Sequence, residues 1–292
     1  MNAPTERLDP ATHMDMLSLR VRDLPGLLAY YTDGVGLVPL SEGSGRIALG
    51  LGDRAVLELV HAPELRPAPS SSAGLYHTAI LFDTRSDLAA SLHSMASRYP
   101  QTSIGSADHL VSEAFYFTDP EGNGLELYVD RPREQWRWTG DQVAMDSLPL
   151  DPNRFVASHL DRNAAESSSG LSRLVGRLGH AHLQIGDIET AHRFYVGTLG
   201  FDQTARMGRG ALFVSAGGYH HHIGLNTWNS RGAGVRSKTL GLGSLDIAVP
   251  AREELDRIAE RLRFAGHEIR DDGNRITTYD PWGNEVRISQ AV

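Results

Sequence analysis

The sequence predicts an α+β fold: four βαβββ modules that pair into two open, cavity-forming barrels. Three observations predict it. Segments beginning at Leu17 and His182 read alike, and a second pair, beginning at Gly74 and Gly241, reads alike in another way. Both members of the second pair close on the same Asp-Pro turn. Internal repeats of this kind decide an architecture before any single element does.

Module one opens with the alternating strand Leu17-Ser18-Leu19-Arg20-Val21, then Asp23 to cap a short helix carrying Tyr30-Tyr31, then Gly36 to stop it. Alternation marks a half-buried strand, and Asp before an apolar turn marks a helix start. Module three repeats the pattern with His182-Leu183-Gln184-Ile185, the cap Asp187, the pair Phe194-Tyr195 and the stop Gly200. Module two opens with Gly74-Leu75-Tyr76-His77-Thr78-Ala79-Ile80-Leu81, followed by a helix over Asp87 to Ser97. Module four opens with Gly241-Leu242-Gly243-Ser244-Leu245-Asp246-Ile247-Ala248, followed by a helix over Glu253 to Ala265. Asp119-Pro120-Glu121-Gly122-Asn123-Gly124 and Asp280-Pro281-Trp282-Gly283-Asn284 are tight turns, each leading into a closing strand. Residues 12–131 thus form an N-terminal half of modules one and two, and 178–291 a C-terminal half of modules three and four. Residues 132–177 are a linker, read as loop from its prolines and its Ser167-Ser168-Ser169-Gly170 stretch, and pinned to the body by Trp136 and Trp138.

Composition narrows the chemistry. The 292 residues suit two domains, and 40% hydrophobic residues suffice for a buried core. The absence of cysteine removes disulfides, iron–sulfur clusters and thiolate nucleophiles, so any metal must sit on His, Asp, Glu or backbone oxygen. Lys238 is the only lysine, which leaves Schiff-base chemistry one weak candidate. A net charge of −8 opposes a nucleic-acid surface. Gly208-Arg209-Gly210 and Gly241-Leu242-Gly243 lack the strand–helix setting and lysine of a phosphate loop, and read as turns. The stretch Met1 to Asp9 lacks the basic flank and apolar run of a signal peptide, and no segment has the length of a membrane span. A cytoplasmic protein is expected.

The module motifs, together with Gly179-His180-Ala181-His182-Leu183 and Tyr219-His220-His221-His222-Ile223-Gly224-Leu225-Asn226, resemble the vicinal-oxygen-chelate superfamily (glyoxalase/bleomycin resistance/extradiol dioxygenase). Within it the chain resembles the catechol 2,3-dioxygenase family. The likeness covers nearly the whole chain outside the first dozen residues and the linker. It implies a metal held by residues of the first and last strands of modules. At those positions module one offers Met16, a poor ligand for a hard cation, module four offers Ser244 and Arg287, module two offers His77 and Glu126, and module three offers His180. A lone strand histidine is more often structural, and a lone strand glutamate usually faces solvent. These three stand out because they fall on the repeat-defined positions.

Two His and one carboxylate form the facial triad of non-haem Fe(II) oxygenases. Fe(II) is the expected cofactor, with Mn(II) the alternative; Zn or Ni would also suit the donors. Because the donors come from modules two and three, those modules must meet, within one chain or by domain swapping, leaving modules one and four as an empty barrel. His182, two residues from His180 on the same strand face, is the alternative ligand. The resemblance implies His221 as the acid/base that gives a proton when the O–O bond breaks. Alternation leaves open which of His220, His221 and His222 faces the cavity. Tyr116, ten residues before Glu126, matches a family tyrosine that touches the diol, and His109 resembles a family histidine at a spacing two residues shorter. The implied reaction is extradiol cleavage of catechol or a substituted catechol by O2 to a muconic semialdehyde. The alternatives are another metal enzyme of the superfamily (an isomerase or hydrolase) and a non-catalytic binding or resistance protein. The expected partners are a small aromatic diol, O2 and a second copy of the chain, with no nucleic acid and no membrane.

Overall fold

The opening strands of the modules pair across the two halves of the chain. In the computed structural model, which describes residues 7–161 and 171–291, β1 (His13–Val21) runs antiparallel to the strand Gly241–Val249. The module-two strand Gly74–Phe82 runs antiparallel to the module-three strand Gly176–Gln184. Modules one and four therefore share one curled eight-stranded sheet, and modules two and three share the other. The two modules that carry His77, Glu126 and His180 meet within a single chain. The Ser167 to Gly170 stretch lies outside the described residues.

Strands Gly74–Phe82 and Gly176–Gln184 are buried over nearly their whole length rather than alternately. Both lie in the middle of their sheet, covered on each face, and such strands read as continuous apolar runs. The side of the sheet away from the helices is the cavity wall, so polar residues on that side are buried with the rest.

The capping aspartates act as the sequence implied: Asp23 accepts from the Gly26 N–H and Asp187 from the Thr190 N–H. The helices they start, Leu24–Ala29 and Ile188–Ala191, widen into π-helical turns, Tyr30–Val35 and His192–Thr198, which residue patterning did not disclose. The wider turns point Tyr31 and Tyr195 at the Asp-Pro turns, where each hydroxyl donates at 3.0 Å to Asp119 and Asp280 respectively. Those aspartates also accept from the backbone of Asn123 and Asn284. Hydrogen bonds thus tie module one to two and three to four, while the sheets tie one to four and two to three. The four modules form a closed ring of contacts.

In the sheet of modules one and four the donor positions are satisfied internally. Ser244 Oγ lies 2.9 Å from Ser18 Oγ and donates to Asp246 at 2.9 Å, and Arg287 donates to Glu285 at 2.7 Å.

The linker departs from the loop expectation. It holds a small hairpin (Trp138–Thr139 with Gln142–Val143) and a helix, Pro152–His159, whose Phe155 packs on Phe115 with ring centroids 4.9 Å apart. Asp151-Pro152 is an N-cap followed by proline in the first turn, a start signal that the loop-like composition masked. Trp136 does pin the segment: it is buried, and its Nε1 donates to the Arg131 carbonyl at 2.9 Å. Trp138 does not, being 40% exposed in the hairpin. No helix among the described residues is long and apolar enough to cross a membrane.

Candidate metal centre

Register brings the three donors together. Ala79 of the strand Gly74–Phe82 is opposite Glu126 of the parallel strand Gly124–Asp130 on one side and opposite His180 on the other. Paired residues on neighbouring strands point to the same face, about 5 Å apart. The small Ala79 side chain lets Glu126 and His180 lean toward each other across the middle strand. His77, two residues earlier on that strand, closes the third side. His77 Nε2 and His180 Nε2 both approach the same atom, Glu126 Oε2, at 3.0 and 3.3 Å. Among the described residues this is the one cluster of three such donors, with ligand atoms within 4.8 Å of one another, all buried.

The charge states suit a cation. Burial alone would push the Glu126 carboxyl up, but the imidazoles, His180 first, hold it well below the usual carboxylate range. Burial pushes His180 down to about 4, against the pull of Glu126. At neutral pH the site presents a carboxylate and a neutral imidazole on His180. His77 Nε2 is buried and lacks a hydrogen-bond partner despite its nearness to Glu126. An orphaned buried nitrogen costs about 1–3 kcal/mol, a cost that coordination would remove. The donor set and the orphan fit a divalent ion of the Fe, Mn, Zn or Ni type.

A bulge aims His180. Pairing with the neighbouring strand shifts register between Leu178 and His180, which makes Gly179 the extra residue. A Cβ on Gly179 would come within 1.8 Å of the Tyr128 hydroxyl, and that hydroxyl lies 3.2 Å from His180 Nδ1. The glycine makes room for the group that orients the ligand. Gly179→Ala should therefore lower affinity for Zn(II) by about 10–100-fold, the usual cost of losing a partner behind a ligand. Tyr128→Phe should fall in the same range, read by competition against a chromogenic chelator; unchanged affinity in both variants would refute this role.

The remaining sequence-derived residues fall at distinct places. His182 faces the same cavity, its ring 4.9 Å from that of His77, but it is not one of the three converging donors, and its Nε2 is a buried atom without a partner. Tyr116 and His109 meet at 2.6 Å on the cavity wall, and His109 Nδ1 lies 2.6 Å from the Asp146 carbonyl of the linker. A carbonyl only accepts, so His109 carries its proton on Nδ1, and Tyr116 donates to Nε2. His220, His221 and His222 precede the strand Ile223–Asn226 and sit in a bend, so strand alternation does not govern them. His221 lines the cavity and its ring lies 4.1 Å from that of His180. His220 points away, 3.0 Å from Asp130 Oδ1. His222 is turned to Ser215 and Ala216, whose N–H donates to its Nδ1 at 3.2 Å. Tyr128, Tyr219 and Asp130 were not found from the sequence, although Tyr128 stands two residues after Glu126 on the same strand face, which was signal enough.

Above the donors opens a cavity of about 800 Å³. Val111, Phe213, Trp228 and Leu240 give it an apolar wall, and Met145 to Ser147 of the linker close one side. That volume is in the range of small-molecule sites.

With this geometry the comparisons with known proteins agree. The model of the Glyoxalase/Bleomycin resistance protein/Dioxygenase superfamily matches residues 13–127 and 177–288. A catechol-2,3-dioxygenase of Bacillus subtilis (strain 168) is 36% identical over 275 residues, 92% of this chain and 94% of that protein. A biphenyl-2,3-diol 1,2-dioxygenase of Rhodococcus globerulus is 32% identical over 103 residues, 35% of this chain and 49% of that one. Glyoxalase I from Zea mays superposes with a TM-score of 0.58 at 16% identity, covering 96% of this chain and 92% of its own, and shows the shared fold alone. The chain belongs to the glyoxalase/bleomycin resistance protein/dioxygenase superfamily.

Proposed function

We propose that the protein is an extradiol dioxygenase that opens the ring of catechol or a substituted catechol with O2, using Fe(II) held by His77, Glu126 and His180. The observation that carries this reading is the convergence of two histidines and one carboxylate at the floor of an apolar-walled cavity. The name of the Bacillus subtilis relative supports the substrate class. Fe(II), when bound, would supply Lewis acidity toward the diol oxygens and an electron route between ring and O2.

The chain's own residues then have separable tasks. The apolar wall of Val111, Phe213 and Trp228 holds the ring and keeps water from it. Tyr116 has its proton committed to His109, so its oxygen is free to accept from a diol hydroxyl. Burial holds the Tyr116 phenol well above its usual range, with the Glu126 charge adding to it, so Tyr116 stays a neutral phenol. His221, on the wall beside His180, is the proton carrier. Both atoms of O2 end in the product, a muconic semialdehyde, so no external reductant is required.

Anaerobic reconstitution with Fe(II), followed by catechol and air, should give a yellow ring-cleavage product. His77→Ala and Glu126→Ala should both abolish it. No colour with catechol and several substituted catechols, despite one tightly bound metal, would overturn the reading in favour of a non-oxygenase metal enzyme.

A further inference from the structure

One guanidinium stands in the cavity wall without an acid beside it. Arg236 lines the cavity from the loop that leads into the strand Gly241–Val249. It lies over Gly74, its Cζ 3.6 Å from where a side chain on Gly74 would begin. Gly74 stands three residues before His77 on the same strand, so the guanidinium is about 10 Å along the strand from that donor.

An arginine has five N–H groups to donate. On Arg236 two are taken, by Asn284 Oδ1 and Thr239 Oγ1, each at 3.1 Å, and both acceptors are neutral. Arg236 makes no ion pair among the described residues. Asp280, the acid whose charge reaches it, gives its oxygens to Asn284, Trp282 and Tyr195. Glu121 and Asp146 also line the cavity, but Glu121 accepts from the Arg22 and Asp23 N–H groups and Asp146 from that of Ser147. Burial, and then the neighbouring Arg20, pull the guanidinium down to about 10. A cation drawn out of water without a counter-charge is unfavourable, and a carboxylate from outside would relieve it.

The guanidinium is also held still. Asn284 is itself fixed by donating Nδ2 to Asp280 at 2.9 Å, and the Arg236 backbone N–H donates to the Trp282 carbonyl at 2.9 Å. An anchor fixed in this way loses little freedom when it binds. Beside it, Gln184 pairs with Gly74 across the sheet, and paired residues face the same side. Gln184 lines the cavity, and its Oε1 is buried without a partner. A half-turn of the amide puts its NH2 there instead, so two side chains offer donors at this end.

We propose that Arg236, with Gln184 beside it, is a specificity-determining subsite for a carboxylate, so that the substrate is an aromatic diol bearing a short acidic arm. The diol sits at the donor triad, and the arm runs along the strand Gly74–Phe82 toward Gly74. That the anion belongs to a diol rests on the dioxygenase reading; the preference for an anion at Arg236 does not.

The test titrates the Zn(II)-loaded chain with catechols carrying a propionate arm, either beside or para to a hydroxyl, and with their methyl esters, which lose the charge. One of the two acids should bind about 10–100-fold more tightly than its ester, the usual worth of a hydrogen bond to a charged group. In Arg236→Gln that ratio should fall to about one, and in Arg236→Lys, which keeps the charge and loses the fork, it should lie between. Equal binding of acid and ester by the unaltered chain would overturn the proposal, as would a ratio that survives Arg236→Gln. Should Arg236→Gln not fold, Arg236→Lys is read in its place, and a ratio equal to that of the unaltered chain would overturn the assignment. With Fe(II) and air the acid should show a KM lower than the ester's by the same ratio. An acid that binds with an Arg236-dependent preference and is never cleaved would refute the dioxygenase reading alone. Cleavage of acid and ester with equal KM would refute this proposal and leave that reading intact.

Discussion

Replacing Glu126 by Gln should lower affinity for a divalent metal by more than about 100-fold without unfolding the protein. Loss of a residue merely behind a ligand costs about 10–100-fold, and Glu126 is itself a donor and the site's only carboxylate. Both imidazole Nε2 atoms face its Oε2, so it sits where the cation would be shared. Gln keeps the shape, removes the charge, and offers an amide nitrogen that cannot ligate. Stability should also fall, though modestly. In the metal-free chain the two histidines hold the Glu126 carboxyl well below its usual range, so the fold favours the anion, and a neutral amide gives up that stabilisation. The metal-free variant should therefore melt somewhat below the metal-free parent, and lose the rise in Tm that the parent gains from excess Zn(II). Unchanged affinity would remove Glu126 from the donor set; a collapsed fold would make its role structural.

Acid should weaken the fold through a histidine away from the metal donors. His222 accepts from the Ala216 N–H through Nδ1, and burial first, then the nearby His220, His13 and Arg133, push it down from 6.5 to about 3. The folded state thus resists a proton that the unfolded chain accepts. Between pH 6.5 and 3 the unfolded state binds more protons, so stability rises with pH across that window. The contribution is complete above 6.5 and is lost progressively as pH falls toward 3. At about 1.4 kcal/mol per pH unit, the loss at pH 5 is about 2 kcal/mol from this residue alone. His222→Asn keeps an acceptor near the Nδ1 position and cannot titrate. Urea unfolding at pH 7 and pH 5 should show the parent losing about 2 kcal/mol more than His222→Asn; equal losses would mean that His222 does not carry the effect.

The donor triad was legible because it is a property of the repeat. Once Ser244, Arg287 and Met16 were seen to occupy corresponding positions without donor chemistry, His77, Glu126 and His180 remained, and only a sheet shared by modules two and three could join them. The turns, caps and glycine stops were legible for the same reason, each being short-range chemistry. What escaped detection depends on irregular backbone or on distant partners. The order of His220 to His222 follows from a bend, not from strand alternation. The helix Pro152–His159 was hidden by composition, although its cap was in plain view. The link from His180 through Tyr128 to Tyr219 joins residues up to 91 positions apart, and nothing local in the sequence marks it.

The sharing of a sheet between the halves also sets an order of events during synthesis. The strand Gly74–Phe82 has its partner at Gly176–Gln184, which emerges only after the whole linker. At a usual rate of about 5–20 residues per second, a long apolar strand waits for several seconds with one edge unsatisfied. An unpaired edge of that kind is a nucleus for association between nascent chains, and premature termination in the linker would leave it open for good. His77 and Glu126 likewise wait for His180, so a divalent ion could find all three donors only in a chain whose two strands have met.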